Sequence, residues 1–394
     1  MSTMYRSTDN FDSAEEMARD LMRDLPLQEL EGAFAFLICL PETPYEELAG
    51  ILGRKLPFSV VGGTTIAIPS AAEDDDISAT LTVFSKQGVK HTISVSEPLK
   101  PEESRRQMTL LYEDCLTRHG ETPKLLIPIM PTIPSMMQGY YMPDLFELAK
   151  DTPFTGGNIS EAINSGDGAV LAEGQAYKDR MVLVAISGDI QPVFSAGCDL
   201  TVLTDYAPVV TEIDFNVIKK VDDLSFFDFL RRLNFDPYDP KILSGYPLCA
   251  LVQGPHQSDD GVAEVRAVLG LDFETKSAIF SSIIPVGAKI RLGYLTVDDV
   301  QTSTQKCMKR LVEKLKASQA LGHTYSLLFY VTCMGRYYTQ INRNNPEGHY
   351  LTENLPEGLS LCGYYGHGEV SPMRDLNGQA FNRTHADSIV MCAF

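Results

Sequence analysis

The chain has 394 residues, of which 44% are hydrophobic and 22% charged, so it is long enough for two or three domains with ordinary globular cores. Its 52 acidic residues outnumber the 33 basic ones and give a net charge of -19, which disfavours nucleic acid and anionic membranes as partners. The eight cysteines are scattered, and the amino terminus has no basic segment followed by an apolar one. We therefore expect buried free thiols in a cytoplasmic protein without a secretion signal or membrane span.

The apolar pattern predicts a first helix over residues 12–25, which Pro26 ends, after a frayed polar tail. Further helices are predicted at 44–52, 101–118, 144–150, 225–233 and 297–318. Strand-like runs lie between them, at 77–84, 91–96, 168–177, 181–187, 199–204, 209–215, 247–253, 262–273, 277–284 and 388–393. Because strands outnumber helices and often follow one another directly, the pattern indicates an α+β protein with mainly antiparallel sheets and helices on their outer faces.

Two loop-rich stretches interrupt this pattern, at residues 204–221 and 234–246. The first joins two portions of similar size, so we divide the chain near residue 210, into domains 1–210 and 211–394. Since no low-complexity linker separates these portions, we expect two tightly packed lobes.

A phrase built around glycine occurs three times, each time after an apolar run. The copies centre on Gly62, Gly63, Thr64 and Thr65, on Gly156, Gly157 and Asn158, and on residues 363–370. The apolar runs that precede them cover 34–41, 125–131 and 327–333. A strand that runs into glycines and small polar side chains exposes amides and hydroxyls, so we interpret the phrases as internal pseudo-repeats whose loops line one shared cleft. Chance is the alternative, because glycine pairs are common in turns.

Arg336 and Glu369 are the candidate pair for a ligand that carries both a carboxylate and an ammonium group. The guanidinium would bind the carboxylate and the glutamate would bind the ammonium. The alternative is that the two residues pair with each other across adjacent strands. Other candidate contacts in this part of the chain are Tyr364, His367, Asn382 and Thr384.

Metal binding and thiol catalysis are the alternatives to these binding roles. His367 and Glu369 have the His-x-Glu spacing of zinc deaminases, but the Pro-Cys-x-x-Cys partner is missing, so no metal site is predicted. Cys333 with His367 and Asn382 would form a thiol nucleophile, yet Cys333 ends an apolar strand, where an inert buried thiol is usual. A thiol hydrolase is therefore the second functional hypothesis, and a structural scaffold is the third.

The order of these features resembles the FIST family, the F-box and intracellular signal transduction domains of bacterial and archaeal sensory proteins. The resemblance covers roughly residues 30–394 and depends on an ordered set of short motifs. They lie at 60–65, 156–158, 181–188, 247–248, 265–266, 284–287, 329–336, 363–370 and 381–384. Two motifs depart from the family pattern: Ile66 to Pro69 replace a Gly-Glu pair, and Phe381 stands where members tend to carry histidine.

The resemblance implies a cytoplasmic sensory protein, not an enzyme, that binds a small ligand, amino-acid-like in many members. It also implies a separate signalling effector, such as a histidine kinase, a cyclase or a chemotaxis receptor, because no output domain is recognised in the sequence. Cys333 is included among the candidate ligand contacts. Some members bind haem and respond to nitric oxide, so a haem sensor is the alternative. The missing histidine at Phe381 and the glycines around His367 lead us to expect no haem and no other cofactor.

Overall fold

A computed structural model of the protein describes residues 2–8, 11–30, 32–69, 77–132, 138–161, 166, 168–239, 248–253, 262, 264–343, 346–375 and 377–394. Its helices are α1 (Ala14–Leu21), α2 (Tyr45–Lys55), α3 (Ser104–His119), α4 (Gln138–Leu148), α5 (Phe226–Arg232), α6 (Val297–Gln319), α7 (Met334–Gln340) and α8 (Pro346–Glu353). The first strands are β1 (Ser2–Thr8), β2 (Phe34–Cys39), β3 (Ser59–Thr64), β4 (Ala79–Ser85), β5 (Val89–Val95), β6 (Leu125–Met130), β7 (Gly156–Asn158), β8 (Val170–Ala172), β9 (Gln175–Tyr177), β10 (Val182–Gly188), β11 (Val193–Gly197) and β12 (Thr201–Val202). The others are β13 (Val210–Asp214), β14 (Val217–Val221), β15 (Leu224–Ser225), β16 (Leu248–Gln253), β17 (Glu264–Asp272), β18 (Ser277–Phe280), β19 (Lys289–Tyr294), β20 (Leu327–Cys333), β21 (Ser360–Gly366), β22 (Glu369–Arg374), β23 (Ala380–His385) and β24 (Ile389–Ala393).

These elements confirm the α+β class with mainly antiparallel sheets. All six predicted helices occur, with shifted ends, whereas α7 and α8 were not predicted. Residues 240–247 and 263 lie outside the described residues, so parts of the predicted break at 234–246 and of the predicted strands at 247–253 and 262–273 are not described. The prediction of a frayed amino-terminal tail is wrong, because residues 2–8 form β1, which pairs antiparallel with β4. Its Thr, Tyr and Met residues favour a strand, and β4 offers it a free edge.

Three units with the same order of elements build most of the molecule. The first contains β1, α1, β2, α2, β3 and β4; the second contains β5, α3, β6, α4, β7 and β10; the third contains β11, α6, β20, α7 with α8, β21 and β24. In each unit a helical connection joins two parallel strands, β2–β3, β6–β7 or β20–β21. The last strand then pairs antiparallel with the middle one. The internal pseudo-repeats are thus confirmed. In each unit the helical connection is the crossover that a parallel pair needs, and the last strand adds an antiparallel pair to the same sheet.

The middle strand of each unit is buried on both faces, which explains the unbroken apolar runs in the sequence. Alternate side chains of β2, β6 and β20, such as Phe36, Ile127 and Phe329, enter one central core shared by the units. The Phe36 and Phe329 rings lie 5.0 Å apart between centroids. The side chains between them pack outwards in separate cores, one beneath each unit's helices.

Hairpins that leave one unit pair with the unit before it. The hairpin β8–β9 of the second unit adds to β3 of the first, and the hairpin β22–β23 of the third adds to β7 of the second. The resulting sheets have the orders β1-β4-β2-β3-β8-β9, β23-β22-β7-β6-β10-β5 and β11-β24-β20-β21. Strands from distant parts of the chain therefore share sheets, and the parts pack tightly.

Between β11 and α6, the third unit carries an inserted sheet. It contains β12–β19 in the order β12-β19-β16-β17-β18-β14-β13, with β15 paired to β14. The helix α5 packs on it around Phe226 and Phe229. The domain boundary near residue 210 falls within this inserted sheet and stays a prediction.

Two further expectations concern the cysteines and the membrane. All eight cysteines are free and buried, as predicted. In the described ranges, the structure contains no helix that combines the length and the apolar character needed to span a bilayer.

Candidate functional site

The three glycine phrases meet at one junction, where the carboxyl ends of β3, β7 and β21 converge. The backbone N–H of Tyr365 donates to Thr65 Oγ1 at 3.0 Å, which links the third unit to the first. The backbone N–H of Ser160 donates to the carbonyl oxygen of Thr64 at 3.2 Å, which links the second unit to the first. The Ser160 hydroxyl donates to the carbonyl oxygen of Tyr365 and closes the triangle. The junction therefore holds all three units together.

The first glycine of each phrase is required by the close approach of two strands. A Cβ atom at Gly62, Gly156 or Gly363 would lie 1.8, 2.2 or 2.0 Å from the carbonyl oxygen of the opposing residue, which is Leu37, Pro128 or Tyr330. Each opposing residue is the fourth of its strand, so the three contacts are equivalent. The glycines thus allow the parallel strands of each unit to pack; they do not expose amides to a ligand.

The hydroxyls at the junction are buried and satisfied by the protein. Thr64 Oγ1 donates to the carbonyl oxygen of Ser160 at 3.1 Å and accepts from the N–H of Ala169 at 3.1 Å. Thr65 Oγ1 donates to the carbonyl oxygen of Ala67 at 2.9 Å and, as described above, bonds to the third unit. Both threonines have no exposed surface. The prediction of a shared cleft is therefore wrong at this position. The three loops meet, but their polar groups hydrogen-bond to one another and do not line a cleft.

The other predicted residues of the phrases are packed in the same way. Gly63 and Gly157 have no room for a Cβ, since the nearest atoms would lie 2.4 and 2.2 Å away. The Asn158 amide nitrogen donates to a backbone carbonyl at 2.9 Å, while its Oδ1 has no hydrogen-bond partner among the described residues. The Tyr364 hydroxyl donates to the carbonyl oxygen of Gly157 at 3.0 Å and ties the third unit to the second.

Arg336 is an interior residue, which corrects its prediction as a ligand contact. Its Nε and Nη2 donate to Glu347 Oε1 at 3.0 and 2.6 Å, and both side chains have no exposed surface. The remaining donors bond to Ser303 Oγ at 3.0 Å, to Thr304 Oγ1 at 2.7 Å and to backbone carbonyls. Burial alone would lower the pKa of Arg336, but the charge and hydrogen bonds of Glu347 raise it. The partner is therefore Glu347 on α8, not a ligand and not Glu369.

Asp387, which the sequence did not single out, is the centre of a buried cluster of thiols and acids. It lies in the turn between β23 and β24 with a left-handed φ of 52°. The Cys249 thiol donates to its Oδ2 at 2.8 Å, and the Cys333 thiol lies 3.8 Å from its Oδ1. The Cys198 thiol donates to its carbonyl oxygen at 3.5 Å. Across the part of the chain that the structure describes, no three His, Cys, Asp or Glu side chains are placed to share a metal ion.

Glu369 lies at the edge of this cluster with no exposed surface. Its Oε2 accepts from the backbone N–H of Ser388 at 3.3 Å, while its Oε1 has no partner among the described residues. Burial raises the pKa of Glu369 well above its usual range, and the charge of Asp387 raises it further. A protonated glutamic acid in this position does not bind an ammonium group through charge.

This burial predicts a pH dependence of stability. The folded protein keeps a proton on Glu369 where the unfolded chain, with a glutamate pKa of about 4.3, has released it. The free energy of unfolding should therefore fall as the pH rises above that value. In Glu369→Gln this loss should be smaller, so the variant should gain stability relative to the parent between about pH 5 and pH 8. Urea unfolding at a series of pH values measures the difference; the exposed Glu313→Gln is the control, and a profile parallel to the parent's would contradict the assignment.

The geometry also bears on the thiol hydrolase hypothesis. The Cys333 thiol lies 3.8 Å from Asp387 Oδ1, and burial raises the pKa of Cys333 well above its usual range. A nucleophilic cysteine needs the opposite, a lowered thiol pKa. Cys333 is the N-cap of the short helix α7, but its burial outweighs this position and its pKa stays raised. Burial lowers the pKa of His367 to about 4. We find no activated thiol in this arrangement.

Asn382 and Thr384 lie on β23, both half-buried. The Asn382 side chain bridges the backbone of the second unit: Oδ1 accepts from the N–H of Phe154 at 3.1 Å, and Nδ2 donates to the carbonyl oxygen of Thr152 at 2.9 Å. Thr384 pairs with Val370 on the neighbouring strand. Of the predicted site residues, Asn382 is the one that lines the open groove described next.

An open groove of about 490 Å³ lies between the second and third units. Residues 150–153 after α4 form one side, β11 and Lys314 of α6 form another, and residues 372–374 and 380–382 of the β22–β23 hairpin form the third. The volume falls within the range of small-molecule sites. Sequence reasoning missed this groove because its walls come from four separate segments.

A second groove, of about 310 Å³, occupies the equivalent place between the third and first units. Its walls are β1, the segment that follows β3, and residues 352–363 leading into β21. The two grooves are built alike. One wall consists of the first strand of a unit and the segment that follows its two parallel strands. The opposite wall is the segment that leads into the second parallel strand of the neighbouring unit. The described residues that line the second groove are all uncharged, whereas charged side chains line the first.

The fold and these grooves define a class of protein: three pseudo-equivalent α+β units joined by a closed polar junction, with open grooves at the unit boundaries. The FIST N domain matches residues 33–224 and the FIST C domain matches residues 230–372. The two matches cover most of the chain, which therefore belongs to the FIST family, whose domains are associated with small-ligand sensing in signal transduction. The resemblance inferred from the sequence is confirmed.

Comparison with curated protein sequences finds no significant match. Among solved structures, the chain is similar to a cyanuric acid hydrolase from A. caulinodans, with a TM-score of 0.34 and 8% identity over 100% of this chain and 99% of that one.

Proposed function

We propose that the protein is a sensor that binds a small ligand in the groove between β11 and the β22–β23 hairpin. The observation that carries the proposal is the position of the groove at a boundary between two units. Its lining combines residues 150–153 of the second unit with β11 and the hairpin of the third. A ligand there contacts both units at once, so its affinity depends on how the units are placed relative to one another.

The backbone on either side of the groove is already coupled. Asn382 joins the hairpin to residues 152 and 154 through its two amide bonds, and Val370 of the same hairpin pairs with Gly156. A ligand that displaces the hairpin would therefore act on β7 and on the junction of the three units. We propose this connection as the start of the response to the ligand.

The long helix α6 offers a route from the groove to the inserted sheet. Near its carboxyl end, Lys314 donates to the carbonyl oxygen of Phe194 in the groove at 3.1 Å. At its amino end, Asp299 Oδ2 accepts from the N–H and the hydroxyl of Thr201 in the inserted sheet, at 3.2 and 2.9 Å. A rigid helix that contacts both sites is a physical means of coupling them.

The finer features follow from the family. We propose an amino-acid-like ligand and a separate effector, such as a histidine kinase, a cyclase or a chemotaxis receptor. Binding rather than catalysis is supported by the buried thiols, whose raised pKa values oppose nucleophilic chemistry. The absence of bound haem remains a prediction from the sequence.

The test fills the groove without disturbing the core. Ala380 is exposed and lines the groove, whereas Thr352 lines the equivalent groove. Native mass spectrometry of the protein from its own host should show a retained ligand, and calorimetry with a panel of amino acids should find binding. Ala380→Trp should abolish that binding, and the matched control Thr352→Trp should leave it unchanged. Binding that is unaffected by Ala380→Trp, or no bound ligand in either experiment, would contradict the proposal.

A further inference from the structure

The groove between the second and third units concentrates positive charge in a chain whose net charge is -19. Three cationic side chains line it, Lys150, Lys314 and Arg374, against the single carboxylate of Asp151. Three positive charges less one negative charge leave a local excess of two. In an acidic protein this excess attracts an anion from solution and repels a cation.

Two of these cations, Lys150 and Arg374, are not neutralised by acidic groups among the described residues. Neither residue forms an ion pair with another described residue. Arg374 donates one N–H to the carbonyl oxygen of Gly378 at 2.8 Å, and Lys314 bonds to the carbonyl oxygen of Phe194. The carbonyl of Gly378 is uncharged, so it orients Arg374 without cancelling its charge.

The remaining walls of the groove are apolar. Phe194 and Phe381 are half-buried, and Met373 is 4% exposed. The polar groups beneath them are satisfied, because Ser195 Oγ donates to a backbone carbonyl and Asn382 uses its amide in two backbone hydrogen bonds. An apolar body of ring size would therefore cover these side chains without leaving a buried polar group unpaired.

We propose that this groove binds a small organic carboxylate with an apolar, ring-sized body, held by Lys150, Lys314 and Arg374. The proposal rests on the function proposed above and adds the chemical class of the ligand. The carboxylate lies among the cations and the apolar body lies against the two phenylalanines. The equivalent groove has no charged residue among its described lining residues, and we expect it not to share this preference.

Three probes with the same ring separate charge from shape: 3-phenylpropanoate, its neutral amide and 2-phenylethylamine. The carboxylate should bind about tenfold tighter than the amide, because several exposed charge contacts each contribute a few-fold. The amine should bind more weakly than both the carboxylate and the amide. Raising the salt concentration should reduce the affinity for the carboxylate and leave that for the amide unchanged.

Matched variants locate the charges that matter. The double variant Lys150→Met/Arg374→Met should lose the preference for the carboxylate over the amide. Lys306→Met is the control: it lies on the same helix as Lys314 but outside this groove, where it pairs with Asp199 at 3.0 Å. This control should keep the preference.

The outcomes separate the two proposals. Equal binding of carboxylate and amide, a preference that survives in the double variant, or no binding of the carboxylate would overturn the assignment of the ligand class. If Ala380→Trp still removes the native ligand in any of these cases, the sensor function stands while the class of ligand is wrong. If neither the native ligand nor the carboxylate is affected by Ala380→Trp, both proposals fail.

Discussion

Replacing Arg336 by methionine should lower the free energy of unfolding by about 3 to 5 kcal/mol. The substitution removes the partner of Glu347, whose carboxylate has no exposed surface, and leaves that charge without its cation. It also removes the hydrogen bonds that join α7 to Ser303 and Thr304 on α6. Urea unfolding of the purified variant measures the loss.

Two controls show whether the effect comes from the buried pair. Arg231→Met removes an exposed arginine that pairs with Asp228 at 3.0 Å, and it should cost no more than about 1 kcal/mol. The double variant Arg336→Met/Glu347→Leu should lose less than the sum of the two single variants, because it leaves no unpaired charge. A stability of Arg336→Met equal to that of the parent would contradict the network, and additive losses would contradict the coupling.

The repeated units could be predicted from the sequence because their signal is local. Each unit has an apolar strand that is buried on both faces, and such strands give unbroken apolar runs. The close contact of its parallel pair requires a glycine, which marks the same position three times. The strand β1 was missed because its residues are mostly polar, and only pairing with β4 makes them a strand.

The candidate site could not be predicted because its contacts join distant parts of the chain. The sequence does not show whether Arg336 binds a ligand, Glu369 or Glu347, because the pairing with Glu347 depends on how α8 packs. The groove brings together Lys150, Lys314 and Arg374, which belong to different elements with no common motif. The hydroxyls of the glycine phrases were correctly placed near one another, but the sequence does not show that they satisfy each other.

Replacing Gly363 by alanine should destabilise the protein by at least about 3 kcal/mol, or prevent soluble expression. The added Cβ would lie 2.0 Å from the carbonyl oxygen of Tyr330 and 2.6 Å from its ring, where both strands are buried. Backbone on one side and a packed aromatic ring on the other cannot move aside cheaply. The equivalent Gly62→Ala should have a similar effect, since its Cβ would lie 1.8 Å from the carbonyl oxygen of Leu37.

The control for this prediction is Gly50→Ala in the helix α2. Its added Cβ would lie 3.4 Å from the flexible end of Arg54, so the helix should gain up to about 1 kcal/mol from the higher helix propensity of alanine. Denaturant unfolding of the three variants side by side distinguishes a steric requirement from a general cost of removing glycine. If Gly363→Ala is as stable as Gly50→Ala, close strand packing does not require glycine, and the repeated geometry of the three phrases would need another cause. If Gly363→Ala is strongly destabilised while Gly50→Ala is not, the glycines of the three phrases are required for close packing of the strands. The ligand then binds in the grooves between the units and not at these glycines.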